Sequence, residues 1–225
     1  NKDKFLSDII NGILPKTNAV DFLVGYFYYS GYKELSEQLK DKRIRILIGL
    51  DIEIHITKHI CEVENFRQQL QSRGVLKEEY CAQFIKAFND TDFLDTEEKI
   101  GQFKMFYSKI LDGSLEIRKT LEPCHSKMYL FAYSDIINEG GENPGVLITG
   151  SSNLSYQGLK GRLELNARFN DKIEYDEGKV IFEELWKDAI VIADKDNIDE
   201  WNNKVMKHIW FDTLYSPYLM FIRVL

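Results

Sequence analysis

The apolar positions in the first part of the chain follow strand and helix periods in turn. Apolar residues at three- and four-residue intervals predict a short helix over 5–14, which Pro15 ends. Branched and aromatic residues predict a buried strand at Ala19–Tyr29, followed by an amphipathic helix at Tyr32–Leu39 and a second strand at Arg43–Leu50. A strand, a helix and a strand in this order form a βαβ unit, which favours parallel pairing with helices packed on the sheet.

The pattern turns helical over residues 52–112, which we interpret as a helical insertion between sheet strands. Apolar residues recur at helical spacing in three stretches, Glu62–Leu70, Tyr80–Phe88 and Ile100–Leu111. We expect one domain over residues 1–225 with this insertion inside it.

Strand patterns return after the insertion and lead to two closing helices. The fold class that we predict is α/β, with a mixed, largely parallel β-sheet sandwiched between helices. A turn-rich stretch over Asn138–Pro144 predicts a hairpin loop. The predicted strands are Leu115–Arg118, His125–Phe131, Val146–Thr149 and Leu163–Phe169, and the predicted helices are Lys179–Ile192 and Ile198–Trp210.

Composition restricts the class of protein and its expected compartment but does not identify an activity. The net charge of -7 argues against a general nucleic-acid coat protein but leaves room for a local basic site. Three cysteines without C-x-x-C spacing indicate neither a disulfide framework nor a zinc site. No run approaches the ~20 apolar residues that span a bilayer, so we expect a cytoplasmic protein without a membrane partner. The apolar pattern of Tyr215–Leu225 suggests an N-terminal fragment of a longer protein.

Polar groups suited to phosphate chemistry lie at the ends of two predicted strands. His125 and Lys127 are two positions apart, so their side chains share a strand face. Gly150–Asn153 forms a turn that offers backbone N–H groups, hydroxyls and an amide. A histidine nucleophile, a fixed cation and these donors predict phosphoryl transfer that needs no metal and no cofactor.

These residues resemble the signature of the phospholipase D superfamily, H-x-K-x4-D followed by G-S-x-N. The combined motif is specific, and the strands at Asp21–Tyr29 and Arg45–Asp51 look like the first two of this fold. The single signature, with Glu164–Asn166 after it, looks like the branch that includes restriction-endonuclease nuclease domains and N-terminal domains of DEAD- and Snf-type helicases. The resemblance implies a phospholipase D-like fold over most of the chain outside residues 52–112.

One residue departs from the family pattern. The family's Asp should fall at position 132, where this chain has Ala132, and Asp135 comes three places too late. The resemblance implies that Glu164 takes over this role in the named branch and orients a catalytic side chain by hydrogen bonding.

The resemblance also implies a covalent mechanism and a partner. One histidine forms a phosphohistidine and a second protonates the leaving oxygen. The other histidines (His55, His59, His208) lack the x-Lys partner, so we expect a homodimer in which a second copy completes the site. Lys127 and Asn153 would hold the phosphate, with Ser151 or Ser152 donating hydrogen bonds.

Several residues carry a weaker functional interpretation beside a structural one. Lys160, Arg162 and Arg168 suit either a nucleic-acid backbone or a solvated charged face. A metal site at His59 and Cys61 lacks a second ligand pair. Three functions therefore stay open: a nuclease acting on DNA and attached to a helicase region, a DNA-binding or dimerisation module without turnover, and a phospholipid hydrolase.

Overall fold

The computed structural model describes residues 5–52, 74–75, 77–78, 80–82, 97–161 and 164–206. Seven strands in this part of the chain form one sheet, in the order β6-β5-β4-β1-β2-β3-β7. The strands are Thr17–Phe27 (β1), Arg43–Ile52 (β2), Leu115–Lys119 (β3), Met128–Tyr133 (β4), Gly145–Gly150 (β5), Asn166–Phe169 (β6) and Ile190–Ala193 (β7).

The sheet is mixed, as predicted, but it is not largely parallel. Strand β2 runs parallel to both β1 and β3. The other four ladders, β1–β4, β3–β7, β4–β5 and β5–β6, are antiparallel. For β4–β5 and β5–β6 the physical reason is the short connection between consecutive strands, because a hairpin loop reverses the chain whereas a parallel pair needs a long crossover. The β1–β4 and β3–β7 ladders join strands that are distant in the sequence, so their direction could not be predicted from loop lengths.

Helices cover both faces of the sheet, which confirms the predicted sandwich. The helices are Leu6–Ile13 (α1), Tyr29–Leu35 (α2), Glu97–Leu111 (α3), Lys172–Asp188 (α4) and Ile198–Lys204 (α5). The first core lies under α1, α2, α3 and α5 and contains Ile10, Tyr32 and Phe106 with Phe22 of the sheet. The second core lies under α4 and contains Phe182 and Trp186.

The predicted helix over Lys179–Ile192 is wrong at its end. Helix α4 ends at Asp188, Ala189 is extended (φ −68°, ψ 152°), and the next four residues form β7 at the sheet edge. A short β-branched run, Ile-Val-Ile, suits an edge strand, but its length is also compatible with the last turn of a helix. Helix α3 confirms the predicted helix at Ile100–Leu111.

Part of the predicted insertion lies outside the described residues. Within the insertion this holds for Glu62–Leu70 and for most of Tyr80–Phe88. The end of the predicted helix Ile198–Trp210, beyond residue 206, is also outside the described residues. Of the predicted strand Leu163–Phe169, Asn166–Phe169 lie in the sheet, Glu164 and Leu165 precede the strand, and Leu163 is outside the described residues. No helix among the described residues is long and apolar enough to cross a membrane.

A buried ion network fixes α4 to the sheet. Arg45 Nε lies 2.6 Å from Asp21 Oδ1, and Arg45 Nη2 lies 2.6 Å from Glu183 Oε1. The guanidinium also lies 4.8 Å from the ring centroid of Phe182. The buried pair of Arg45 with Asp21 joins β2 to β1, and breaking such a pair at one partner typically costs about 3–5 kcal/mol. Glu183, whose side chain is half-exposed, connects this pair to α4.

The carboxyl end of β1 is irregular, and this irregularity positions the site. The pairing of β1 with β2 shifts between Val24, opposite Ile48, and Tyr26, opposite Asp51. Two residues of β2, Gly49 and Leu50, lie opposite the single residue Gly25 of β1, so β2 has one extra residue next to the segment that leads to His125. Bulges of this kind commonly re-aim the chain beside functional sites.

Candidate functional site

Three of the predicted site residues meet over Gly25, which has no side chain. A Cβ atom at Gly25 would lie 3.1 Å from His125 Cδ2, 3.3 Å from Lys127 Nζ and 3.4 Å from Asn153 Oδ1. The three side chains come from the segment before β4 and from the turn after β5. The structure therefore brings His125, Lys127 and Asn153 together, as the sequence predicts.

Lys127 supplies a cation that is almost completely buried. Its ammonium donates to the main-chain carbonyl of His125 at 2.7 Å, while Thr149 Oγ1 donates to the carbonyl of Lys127 at 2.8 Å. Burial lowers the pKa of Lys127 to about 8, and Cys124 and Glu164 partly oppose this shift. Lys127 is thus mostly protonated at pH 7, and its charge is poorly hydrated and available to an anion.

His125 presents its imidazole at the surface beside this cation. The ring of Tyr26 lies 6.2 Å from the imidazole, centroid to centroid, in an edge-on arrangement. Partial burial and the neighbouring Lys127 charge lower the pKa of His125 below its usual value of 6.5. Near neutral pH the imidazole is therefore uncharged, which is the form that can act as a nucleophile.

The side chain of Asn153 is fixed by the backbone of β1. The Tyr26 N–H donates to Asn153 Oδ1 at 3.1 Å, and this same oxygen is the Asn153 atom that lies near Gly25. The backbone turns tightly here, with Ser155 N–H donating to the Asn153 carbonyl at 2.8 Å. The ammonium of Lys127 is a hydrogen-bond donor that lies at this position, and it could pair with an oxyanion.

The two serines of the turn differ in their surroundings. Ser151 is exposed and its hydroxyl donates to Glu164 Oε2, while the Leu165 N–H donates to Ser151 Oγ at 3.1 Å. Ser152 is completely buried, and its Oγ accepts a hydrogen bond of 2.9 Å from Asn166 Nδ2. Ser152 therefore shapes the turn, and Ser151 connects the turn to Glu164.

Glu164 lies at the site, but its hydrogen bond goes to a hydroxyl. The described contact of its carboxylate is Ser151, and its negative charge acts to raise the pKa of Lys127. Ala132, which replaces the family's Asp, is half-buried in β4 opposite Ala19 and Gly145. The orienting role that the resemblance implies for Glu164 stays a prediction.

The other candidate residues have contacts within the chain or lie outside the described part. Lys160 forms an ion pair with Glu34 at 2.6 Å, and Arg168 Nε donates to Asn170 Oδ1 at 2.8 Å. Among the described residues no group of three His, Cys, Asp or Glu side chains could hold a metal ion. Four of the candidate residues, His55, His59, Cys61 and Arg162, together with His208, are outside the described residues.

Sequence reasoning missed the groups that hold the site together. Gly25 provides the space, the Tyr26 N–H fixes Asn153, and Thr149 fixes the backbone of Lys127. One signal for Gly25 was present, because a glycine inside an apolar strand often marks close approach of another group. The backbone N–H of Tyr26 leaves no trace in the pattern of residue types.

The pKa of Lys127 predicts how anion binding depends on pH. Its charged form prevails below about pH 8 and is lost above, so binding of inorganic phosphate should weaken as the pH rises through about 8. Isothermal titration between pH 6.5 and pH 9.5 measures this. Lys127→Arg should remove the loss in this range, because a guanidinium stays charged. Affinity that is flat in the wild-type protein across this range would contradict the assignment.

A methyl group at Gly25 should occupy the place of the anion. The added Cβ would touch all three site side chains at 3.1–3.4 Å, so Gly25→Ala should weaken phosphate binding by about tenfold or more while the protein stays folded. Gly12→Ala is the matched control, because a Cβ at the exposed Gly12 meets nothing within 4 Å. Equal phosphate affinity in both variants would show that the anion does not bind over Gly25.

Comparison with solved structures finds weak similarity over most of the chain. Nuc from Salmonella typhimurium, a phospholipase D family member, is 10% identical with a TM-score of 0.41, covering 82% of this chain and 88% of Nuc. Phosphatidylserine synthase from Haemophilus influenzae is 12% identical with a TM-score of 0.46, covering 97% of this chain and 42% of its own. Polyphosphate kinase from Porphyromonas gingivalis is 10% identical with a TM-score of 0.40, covering 90% and 25%.

The family assignment rests on a sequence match. None of the curated proteins matches the chain at a significant level. The family model described as "Cardiolipin synthase, PLD-like domain" matches residues 20–186, which include both halves of the signature and most of the sheet. Membership in the narrower branch of helicase- and endonuclease-associated domains stays a prediction. The chain belongs to the family of phospholipase D-like domains.

Proposed function

We propose that this domain is a metal-independent phosphodiesterase that cleaves nucleic acid through a phosphohistidine intermediate. DNA is the substrate that we favour. The observation that carries the proposal is the convergence of His125, Lys127 and Asn153 over Gly25. An uncharged imidazole, a dehydrated cation and an amide donor are the groups that an in-line displacement at phosphorus requires.

The proposed reaction has two displacements. An imidazole nitrogen of His125 attacks phosphorus, the bond from phosphorus to the leaving oxygen breaks, and that oxygen takes a proton from a second histidine. Water, which returns a proton to that second histidine, then cleaves the phosphorus–nitrogen bond and releases the phosphomonoester. Lys127 and Asn153 stabilise the charge on the non-bridging oxygens in both steps, so the donors of the chain itself take the place of a Lewis acid.

The second histidine is proposed to come from another copy of the chain. The described part of the chain holds one His-x-Lys pair, and the histidines elsewhere in the sequence lack this spacing. A two-fold axis through the site would bring two His125 side chains to one phosphate, which is an isologous contact. The functional unit that we propose is therefore a homodimer, with a linked helicase region and a cytoplasmic location as further expectations.

Nucleic acid is favoured over lipid by the sequence features of the site. The single signature followed by Glu164–Asn166 resembles the nuclease-like branch. The description of the matching family model names a cardiolipin synthase, so phospholipid is the competing substrate class. The two classes share the phosphodiester, and they differ in what flanks it.

A DNA-binding module without turnover is the second candidate. Ala132 stands where the family has an acidic residue, and the described hydrogen bond of Glu164 goes to Ser151. If the imidazole lacks an orienting carboxylate, phosphate binding would persist while attack on phosphorus is slow.

Cleavage assays in EDTA separate these functions. The protein should cleave labelled single- and double-stranded DNA with EDTA present, and His125→Ala should lower the rate by at least about a thousandfold because the nucleophile is lost. His208→Ala is the matched control, since this histidine has no Lys two positions on. DNA binding that falls with salt but never leads to cleavage would select the binding module. Release of a headgroup from phosphatidylglycerol vesicles, without DNA cleavage, would select the lipid substrate.

The same assay tests the composite site. Excess His125→Ala protein mixed and equilibrated with wild-type protein should suppress wild-type cleavage, because mixed dimers hold one nucleophile and no second histidine. Activity that is proportional to the wild-type protein alone, at any excess of the variant, would contradict a shared site.

A further inference from the structure

Lys119, the last residue of β3, has an almost completely buried ammonium group. Its exposed fraction is 1%. Its Nζ donates to the main-chain carbonyl of Gly49 at 2.8 Å and lies 3.3 Å from the carbonyl of Thr120. The ammonium also lies 5.3 Å from the ring centroid of Tyr80. A buried lysine is costly unless its donors are bound, so the bond to the Gly49 carbonyl is a strong constraint on that backbone.

The Gly49 carbonyl is the point that holds the chain just before His125. The Cys124 N–H donates to this same oxygen at 3.0 Å. Contact between the two backbones is so close that a Cβ at Gly49 would lie 1.7 Å from the Cys124 carbonyl oxygen. Thr120 Oγ1 lies 3.2 Å from the Gly49 carbonyl and 2.6 Å from that of Glu122. Cys124 is therefore attached to the bulged end of β2 through one carbonyl group.

We infer that Lys119 is a positioning residue for His125, acting through the Gly49 carbonyl and the backbone of Cys124. This inference rests on the proposed function only for its effect on turnover, because the geometry of His125 is measurable without a substrate. The hydrogen bonds of Lys119 described above go to Gly49 and Thr120, at the ends of β2 and β3. Their effect is to keep the residue next to the nucleophile at a fixed place relative to β1 and β2.

Lys109 provides a comparison within the same chain. It too is buried, and its Nζ donates to the carbonyls of Lys40 and Lys42 at 2.9 and 2.8 Å and lies 3.0 Å from Ser114 Oγ. These groups precede β2 and β3, whereas Lys119 lies at their far end beside the site. Both lysines stabilise backbone turns, but only the turn bound by Lys119 leads to His125.

The test compares Lys119→Met with Lys109→Met in the full chain. We expect Lys119→Met to raise the pKa of His125 toward 6.5, measured by NMR titration of the imidazole, because the ring moves away from its desolvated place beside Lys127. Turnover should fall by about 10- to 100-fold in kcat, the effect of a small misplacement of a reacting group. Lys109→Met should lower the free energy of unfolding while leaving the His125 titration and kcat near wild type.

A second variant keeps the inference testable if Lys119→Met does not fold. Thr120→Val keeps the Lys119 charge and removes a hydroxyl from the Gly49 and Glu122 carbonyls, so a smaller shift in the same direction is expected. A folded Lys119→Met protein with an unchanged His125 titration would overturn the inference, as would an equal shift in Lys109→Met. A wild-type protein without turnover would contradict the proposed function, while the titration would still decide the role of Lys119.

Discussion

The site depends on the absence of a side chain at Gly25. His125, Lys127 and Asn153 approach from the segment before β4 and the turn after β5, and they come within 3.1–3.4 Å of the place that a Cβ would occupy. The bulge between β1 and β2, the Tyr26 N–H bound to Asn153, and the antiparallel pairing of β4 with β5 all serve this convergence. The sheet therefore positions His125, Lys127 and Asn153 around the place where a side chain at Gly25 would lie.

Electrostatics at this position are set by burial. Lys127 keeps one hydrogen bond to a main-chain carbonyl and is otherwise removed from water, which brings its pKa to about 8. The same cation, together with partial burial, lowers the pKa of His125. A dehydrated cation beside an uncharged imidazole is unfavourable for folding and favourable for binding a phosphodiester, because the anion supplies the charge that the site lacks. Glu164, which accepts a hydrogen bond from Ser151, partly opposes the lowering of the Lys127 pKa through its negative charge.

Residue patterns predicted most of the strands of the sheet and the three polar residues that lie together over Gly25. The predicted strand His125–Phe131 is wrong at its start, because β4 begins at Met128 and both His125 and Lys127 precede it, although their side chains do lie close together. The Gly-Ser-x-Asn turn was predicted from its composition. The patterns failed where tertiary contacts decide. Strand β7 has the length of a helix turn and is a strand because the edge of β3 is beside it. A lysine at the end of a strand is usually exposed to solvent, so the sequence does not indicate that the Lys119 ammonium is bound to the Gly49 carbonyl.

Detection of the covalent intermediate on His125 tests the proposed mechanism most directly. The protein would be incubated with a labelled phosphodiester, quenched in alkali and mapped by mass spectrometry. We predict an acid-labile phosphoryl adduct on His125 that forms at the rate of turnover and is absent in His125→Ala. Turnover without any adduct on His125, or with the adduct on another residue, would contradict it.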